Sequence, residues 1–257
     1  MVAFALILTL STTGCKKEGC TDPLSTNYDP DAKEDDGSCV YNAPTIALHV
    51  HSLVGTQPYS TGTPYTHTSG RRYKFTKAHF YVSGVEVEKA SGHEHFDNYL
   101  QIVAPNSDYA LGTIPTGSYT GVNFNIGIDS AANHSDPTTY AATHALSASS
   151  PTFDHWSWNS GYIFVKIEGV ADTSATMNGA IDGPFTLHIG GDSFLRAIAL
   201  NKAFDVPVTG NYEFGINIDW AKALDGVDLR NATTHTMDNM PLAMQVMSNL
   251  LTGITAE

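Results

Sequence analysis

His49 and His51 stand two residues apart in the run Ile46-Ala47-Leu48-His49-Val50-His51. In an extended strand alternate side chains share a face, so the two imidazoles project together while Ile46, Leu48 and Val50 take the other side. Imidazole suits copper, zinc, iron and nickel, and two on one face can meet a single ion. The competing reading is a polar strand face open to solvent. His93 and His95 repeat the spacing, but Gly92 and Glu94 mark a loop, where coordination is less preorganised. His188 falls at the end of another strand-like run, Phe185-Thr186-Leu187-His188-Ile189-Gly190. Met240, Met244 and Met247 form one helical stripe whose thioethers suit Cu(I), although the same stripe reads as a Met-rich core face. Asp129, Asn133 and Asp136 offer oxygens to calcium or simply cap their loop. His67 and His79, beside aromatic strands, read as structural or exposed.

Other chemistries lack their residues. The chain has no G-x-S-x-G, no H-E-x-x-H and no phosphate-binding glycine loop. Its 257 residues include 26 acidic, 13 basic and 11 histidine side chains, for a formal net charge of −13. That balance argues against a nucleic-acid binder, which neutralises phosphates with clustered Lys and Arg. A hydrophobic content of 42% supports a packed core and argues against disorder.

The elements that must position these residues are mostly strands. Apolar alternation and aromatic enrichment predict strands near 73–88, 99–103, 119–128, 161–168, 184–189, 195–199 and 212–219. Gly and Pro punctuate the gaps, as at Pro115-Thr116-Gly117. The expected class is mainly β: an antiparallel β-sandwich or barrel-like domain with long loops and a C-terminal helix. That helix is predicted over Met240 to Leu251, with Asp238 or Asn239 as N-cap, Pro241 in the first turn and Gly253 as the stop. A short helix is expected at Trp220 to Leu224 and another around Thr138 to Leu146, inside a long loop over 129–157.

The N-terminus reads as an export signal. Residues 2–10 are apolar apart from Thr9, too few to span a bilayer but right for the apolar core of a signal peptide. We assign 1–14 to that signal, 15–44 to an N-terminal segment and 45–257 to the main β domain. Ser11-Thr12-Thr13-Gly14-Cys15 resembles a bacterial lipobox, which makes Cys15 the lipidated residue. Lys16-Lys17-Glu18 then resembles the charged tether of Bacteroidetes-type surface lipoproteins, placing the protein on the outer membrane, facing either way. With Cys15 lipidated, Cys20 and Cys39 form an even pair in an exported chain and read as a disulfide. Closing so short a loop contributes about 3 kcal/mol. Between them Asp29, Asp31, Asp35 and Asp36 could chelate calcium through hard oxygens; the other reading is a solvated acidic loop.

One run is more specific. Trp156-Ser157-Trp158-Asn159-Ser160-Gly161-Tyr162-Ile163-Phe164, continuing to Lys166-Ile167-Glu168-Gly169, resembles the MbnP-like copper-binding family. Other pieces fit in order: the strand with His49 and His51, Phe80-Tyr81-Val82-Ser83, Phe124-Asn125-Ile126-Gly127-Ile128-Asp129, and Leu187-His188-Ile189-Gly190. The resemblance covers roughly 45–257. It implies a β-sandwich-like fold and an exported protein that sequesters, stores or delivers copper without turning over substrate. It also implies His49, His51 and His188 as ligands, and Trp156 or Trp158 as a residue oxidised to kynurenine by a di-haem cytochrome c peroxidase-like partner. Kynurenine exposes an aromatic amine that can donate to a metal, which indole cannot. Without the resemblance, two indoles two apart read as core packing. A reading from another class is a surface β-sandwich adhesion or glycan-binding module whose exposed aromatics stack on sugars.

Overall fold

The computed structural model describes residues 16–157, 161–236 and 238–257. The signal segment, Cys15 and Trp158 lie outside the described residues. In chain order the strands are β1 (Thr45–Val54), β2 (Gln57–Pro58), β3 (Tyr65–Thr66), β4 (Arg72–Lys89), β5 (Gly92–Phe96), β6 (Leu100–Val103), β7 (Asp108–Thr113), β8 (Gly117–Tyr119) and β9 (Gly121–Ile126). After α1 (Ser130–Asn133) come β10 (His155–Ser157), β11 (Gly161–Ala171), β12 (Gly183–Gly190), β13 (Arg196–Leu200), β14 (Phe204–Val206), β15 (Asn211–Asp219) and β16 (Thr233–His235). The chain closes with α2 (Met240–Thr252) and β17 (Ile254–Ala256).

These strands build the mainly β, sandwich-like fold that the alternation predicts. A five-stranded sheet has the order β17-β15-β1-β2, with β7 also on β1. A ten-stranded sheet has the order β13-β9-β4-β11-β12-β16, with β3, β5 and β6 on β4 and β10 on β11. Most pairs are antiparallel. The long exception is β1 with β15, which run parallel in register from Thr45↔Asn211 to Leu53↔Asp219.

The strand pattern decides what is buried. In β1, Ile46, Leu48 and Val50 are at most 2% exposed; in β11 and β12, Val165, Ile167, Leu187 and Ile189 are fully buried. All belong to one core. Trp220, which follows β15, packs 5.6 Å from Phe80 of β4 and 6.4 Å from Tyr59 by ring centroids. Tyr59 in turn packs 5.4 Å from Phe75 of β4. These rings fasten the two sheets together, each buried one contributing about 1.5–3 kcal/mol.

Two local expectations change. Residues 92–96 form strand β5 rather than a loop, because cross-strand pairing with β4 over Val85↔Phe96 to Lys89↔Gly92 dominates a segment with only one buried apolar residue, Phe96. The helix expected around Thr138 to Leu146 is only a 3-10 turn at Pro137–Thr139, capped by Asp136. Trp220 to Leu224 likewise holds a 3-10 turn, Lys222–Leu224. The C-terminal helix matches its signals: the Asn239 side chain accepts from Leu242 N, Pro241 lies in the first turn and Gly253 is the C-cap.

The N-terminal segment is organised around a Cys20–Cys39 disulfide. Asn27 clasps it by accepting from Val40 N at 2.8 Å and donating to Ser38 O at 2.7 Å. Tyr41 Oη donates to Asp22 at 2.7 Å. Among the described residues, no helix is long and apolar enough to cross a membrane.

Candidate metal centre

β1 is the interior strand of its sheet, and alternation forces His49 and His51 out of the core on one face. Their rings meet edge to face with centroids 4.7 Å apart. Neighbouring strands bring carboxylates to the same face. Asp108 pairs with His49 in the β1–β7 register, and its Oδ1 lies 2.6 Å from His49 Nδ1. Glu213 of β15 reaches within 4.0 Å of the same nitrogen. Gly215 lies opposite His49 on β15, and its missing side chain leaves room for Glu257: a Cβ there would come 2.8 Å from Glu257 Oε2. Glu257 Oε2 instead sits 3.0 Å from His51 Nε2.

Electrostatics follow from this crowding. The hydrogen bond to Asp108 raises the His49 pKa against some desolvation, with help from the charges of Asp108, Glu213 and Glu257. Asp108 is held below the usual carboxylate range by the Ser107 hydroxyl and then by His49. With Asp108 ionised, the carboxylate accepts and His49 Nδ1 carries the proton. Neutral His49 therefore keeps its lone pair on Nε2, the tautomer a metal needs, with Asp108 as the orienting group. His49, Asp108 and Glu213 offer ligand atoms within 4.8 Å of one another. Two imidazoles backed by carboxylates fit a borderline transition ion such as copper.

His188 is placed elsewhere. It lies on β12 in the ten-stranded sheet, directed away from the shared core. A row of in-register partners crosses that sheet: His79 of β4, Lys166 of β11, His188 and His235 of β16. His188 and His235 rings lie 5.1 Å apart. His188 Nε2 donates to Glu168 at 2.7 Å, and His235 Nδ1 lies 3.1 Å from Asp238. Burial lowers the His188 pKa, opposed by Glu168. Burial pushes Glu168 up, but His188 and the charges of Lys166 and Lys77 outweigh it and the net shift is downward. His79 is buried in a hydrogen bond with Asp154, which also accepts from Lys166 at 2.6 Å. The structure thus unites His49 with His51 and sets His188 with His235 on another sheet. Trp156 belongs to the second group: its ring comes 2.9 Å from where a Gly190 Cβ would be, two residues along from His188.

The remaining candidates have structural partners. Asp29 and Asp31 share the Lys17 ammonium at 2.7 and 3.7 Å. Asp35 and Asp36 accept from the backbone of Gly37 and Ser38. The four calcium candidates are therefore engaged locally, and among the described residues no three of them bring their ligand atoms within 4.8 Å of one another. Asp129 and Asp136 cap their turns, and buried Asn133 accepts from Tyr162 N. Met247 is buried in the core while Met244 is exposed. His67 is buried against Leu224 O. Tyr28 is the single aromatic among the large exposed hydrophobics of the described residues, so they display no strip for stacking sugars.

The MbnP family model matches residues 43–241. The chain belongs to the MbnP family. The family is copper-associated, and the match spans both imidazole groups. Among solved structures, MbnP from Methylosinus trichosporium aligns with a TM-score of 0.52 over 78% of this chain and 87% of that one, at 16% identity, which shows a shared fold. Curated relatives match only a short stretch. Ribulose bisphosphate carboxylase/oxygenase activase 1 of Larrea tridentata is 79% identical over 24 residues, and the Arabidopsis thaliana activase 68% over 25. Those stretches are 9% and 10% of this MbnP-family chain and 5% of each activase.

Proposed function

We propose that this MbnP-family protein holds copper at the His49–His51 pair, to sequester, store or deliver it rather than to turn over substrate. The observation that carries the reading is the pair itself: two imidazoles 4.7 Å apart on an interior strand, with Asp108 fixing the His49 tautomer. Bound copper would supply a redox-capable, nitrogen-seeking centre. The chain's own residues hold it, orient the ring and set the negative field around it. The protein is lipid-anchored through Cys15 in the cell envelope, and the Cys20–Cys39 segment spaces the domain from the membrane.

A second arrangement rests on Trp156 over Gly190, beside His188 and His235. There a kynurenine made from Trp156, or from Trp158, would add an aromatic amine to the imidazoles, the oxidation being performed by a di-haem cytochrome c peroxidase-like partner. Copper titration of the full chain separates the two. His49→Ala with His51→Ala should remove one equivalent, while His188→Ala with His235→Ala should leave it. The reverse result moves the centre to the second sheet, and loss in neither removes the copper reading. Intact mass of protein co-expressed with the peroxidase tests the modification: kynurenine replaces one carbon of tryptophan by one oxygen.

A further inference from the structure

The β4–β5 hairpin carries a second group of metal-capable side chains, remote in register from those above. On β4, Glu86 and Glu88 alternate with fully buried Val85 and Val87. On β5, His93 and His95 face outward before buried Phe96. The register sets His95 opposite Glu86 and His93 opposite Glu88. Directly opposed residues share a face, so all four project together.

We infer that this hairpin is a zinc-class divalent cation site with ligands His93, His95, Glu86 and Glu88. Glu86 Oε1 lies 3.6 Å from His93 Nε2 and 3.7 Å from His95 Nδ1. Ligand atoms of Glu86, Glu88 and His93 all fall within 4.8 Å of one another. Around a tetrahedral zinc with bonds of about 2.0–2.1 Å, neighbouring ligand atoms stand about 3.3 Å apart. The Glu86 contacts need to close by only a few tenths of an ångström, which is side-chain adjustment on a fixed backbone.

The surroundings support binding. His95 Nε2 lies 3.1 Å from Asp97; with that carboxylate accepting from the Nε2–H, the Nδ1 lone pair is left towards Glu86, the orienting arrangement common at metal-bound histidine. Asn123 of β9 donates to Glu88 Oε1 at 2.7 Å, holding that carboxylate from the other side. Nearby Lys89 is engaged by Glu94. Among the described residues, no Lys or Arg forms an ion pair with Glu86 or Glu88, so two carboxylates face two imidazoles without a neutralising cation. A nitrogen and oxygen donor set without sulfur suits Zn(II) and disfavours Cu(I).

The test uses the metal-free full chain carrying His49→Ala and His51→Ala, so that the proposed copper pair does not contribute. Zinc is titrated against a chromophoric chelator, with and without His93→Gln and His95→Gln. The expected result is one fewer equivalent of zinc, or a loss of at least tenfold in the affinity of one equivalent, with the metal-free unfolding temperature unchanged. Equal stoichiometry with an affinity change under tenfold overturns the inference. A second measurement uses the same His49→Ala, His51→Ala chain: one equivalent of zinc should shift the ring Cε1–H signals of His93 and His95 in NMR spectra. Zinc that moves neither signal also overturns it. Copper retention at His49 and His51 is read separately and is independent of both outcomes.

Discussion

His49 Nδ1 and Asp108 Oδ1 lie 2.6 Å apart across the β1–β7 pair, although 59 residues separate them in the chain. The carboxylate holds the ring from behind and does not need to touch a metal to matter. Replacing Asp108 with Asn keeps the shape and removes the charge. Copper affinity should then fall about 10–100-fold, the usual effect of losing such an orienting partner. A chelator competition titration reads it, and an affinity within twofold of wild type would show that Asp108 plays no part.

The same contact has a pH signature. His49 is raised above its ordinary value, first by the Asp108 hydrogen bond. A raised folded pKa means that the pair stabilises the fold at low pH and that this contribution disappears as pH rises through the folded value. The contribution is small, because His49 is about a third exposed (31%) and solvent screens it. Protons also compete with copper at higher pH here than at an unperturbed imidazole. NMR titration of the His49 ring should give a lower pKa in Asp108→Asn than in wild type. The same value in both would refute the assignment.

His188 behaves with the opposite sign. Burial lowers its pKa, with Glu168 opposing. Below about pH 6.5, the unperturbed histidine value, the unfolded chain takes up the proton first and stability falls as pH drops towards the folded value. His188→Gln keeps a donor for Glu168 and should flatten the fall in Tm between pH 7.5 and 5. A Tm profile parallel to wild type would show that His188 does not contribute to it.

The fold itself can be challenged at Trp220, which is fully buried and joins the two sheets through Phe80 and Tyr59. Trp220→Ala should cost about 3–5 kcal/mol. Urea unfolding checks this; a loss under about 1 kcal/mol would mean that the seam repacks.

Much of the architecture was legible in the residues. The alternation of Ile46, Leu48 and Val50 against His49 and His51 states which face is wet, and the observed strand keeps that division. Asn239, Pro241 and Gly253 delimit α2 by capping chemistry alone. The surroundings of the imidazoles were not legible. Asp108 and Glu213 arrive from β7 and β15, and nothing in a single strand states which distant strand will lie beside it. The separation of His188 from the first pair has the same origin: spacing assigns a side chain to a face, while sheet membership is decided by pairing. β5 was hidden for another reason. Gly-His-Glu-His-Phe has one apolar residue, so its alternation is polar with polar, and only its register with β4 reveals the strand.

The parallel pairing of β1 with β15 also orders events in time. A chain made or threaded from its N-terminus delivers Thr45–Val54 early and Asn211–Asp219 late. Through that interval His49 and His51 belong to a peptide without its nine-residue companion, and a contact this distant in sequence is slow to close. In that interval β7 can already pair with β1 and bring Asp108 to His49, while the flank that β15 covers stays open. If the pair holds an ion as proposed, its second flank and Glu213 arrive only once residue 219 has docked, so that capacity follows the docking of β15.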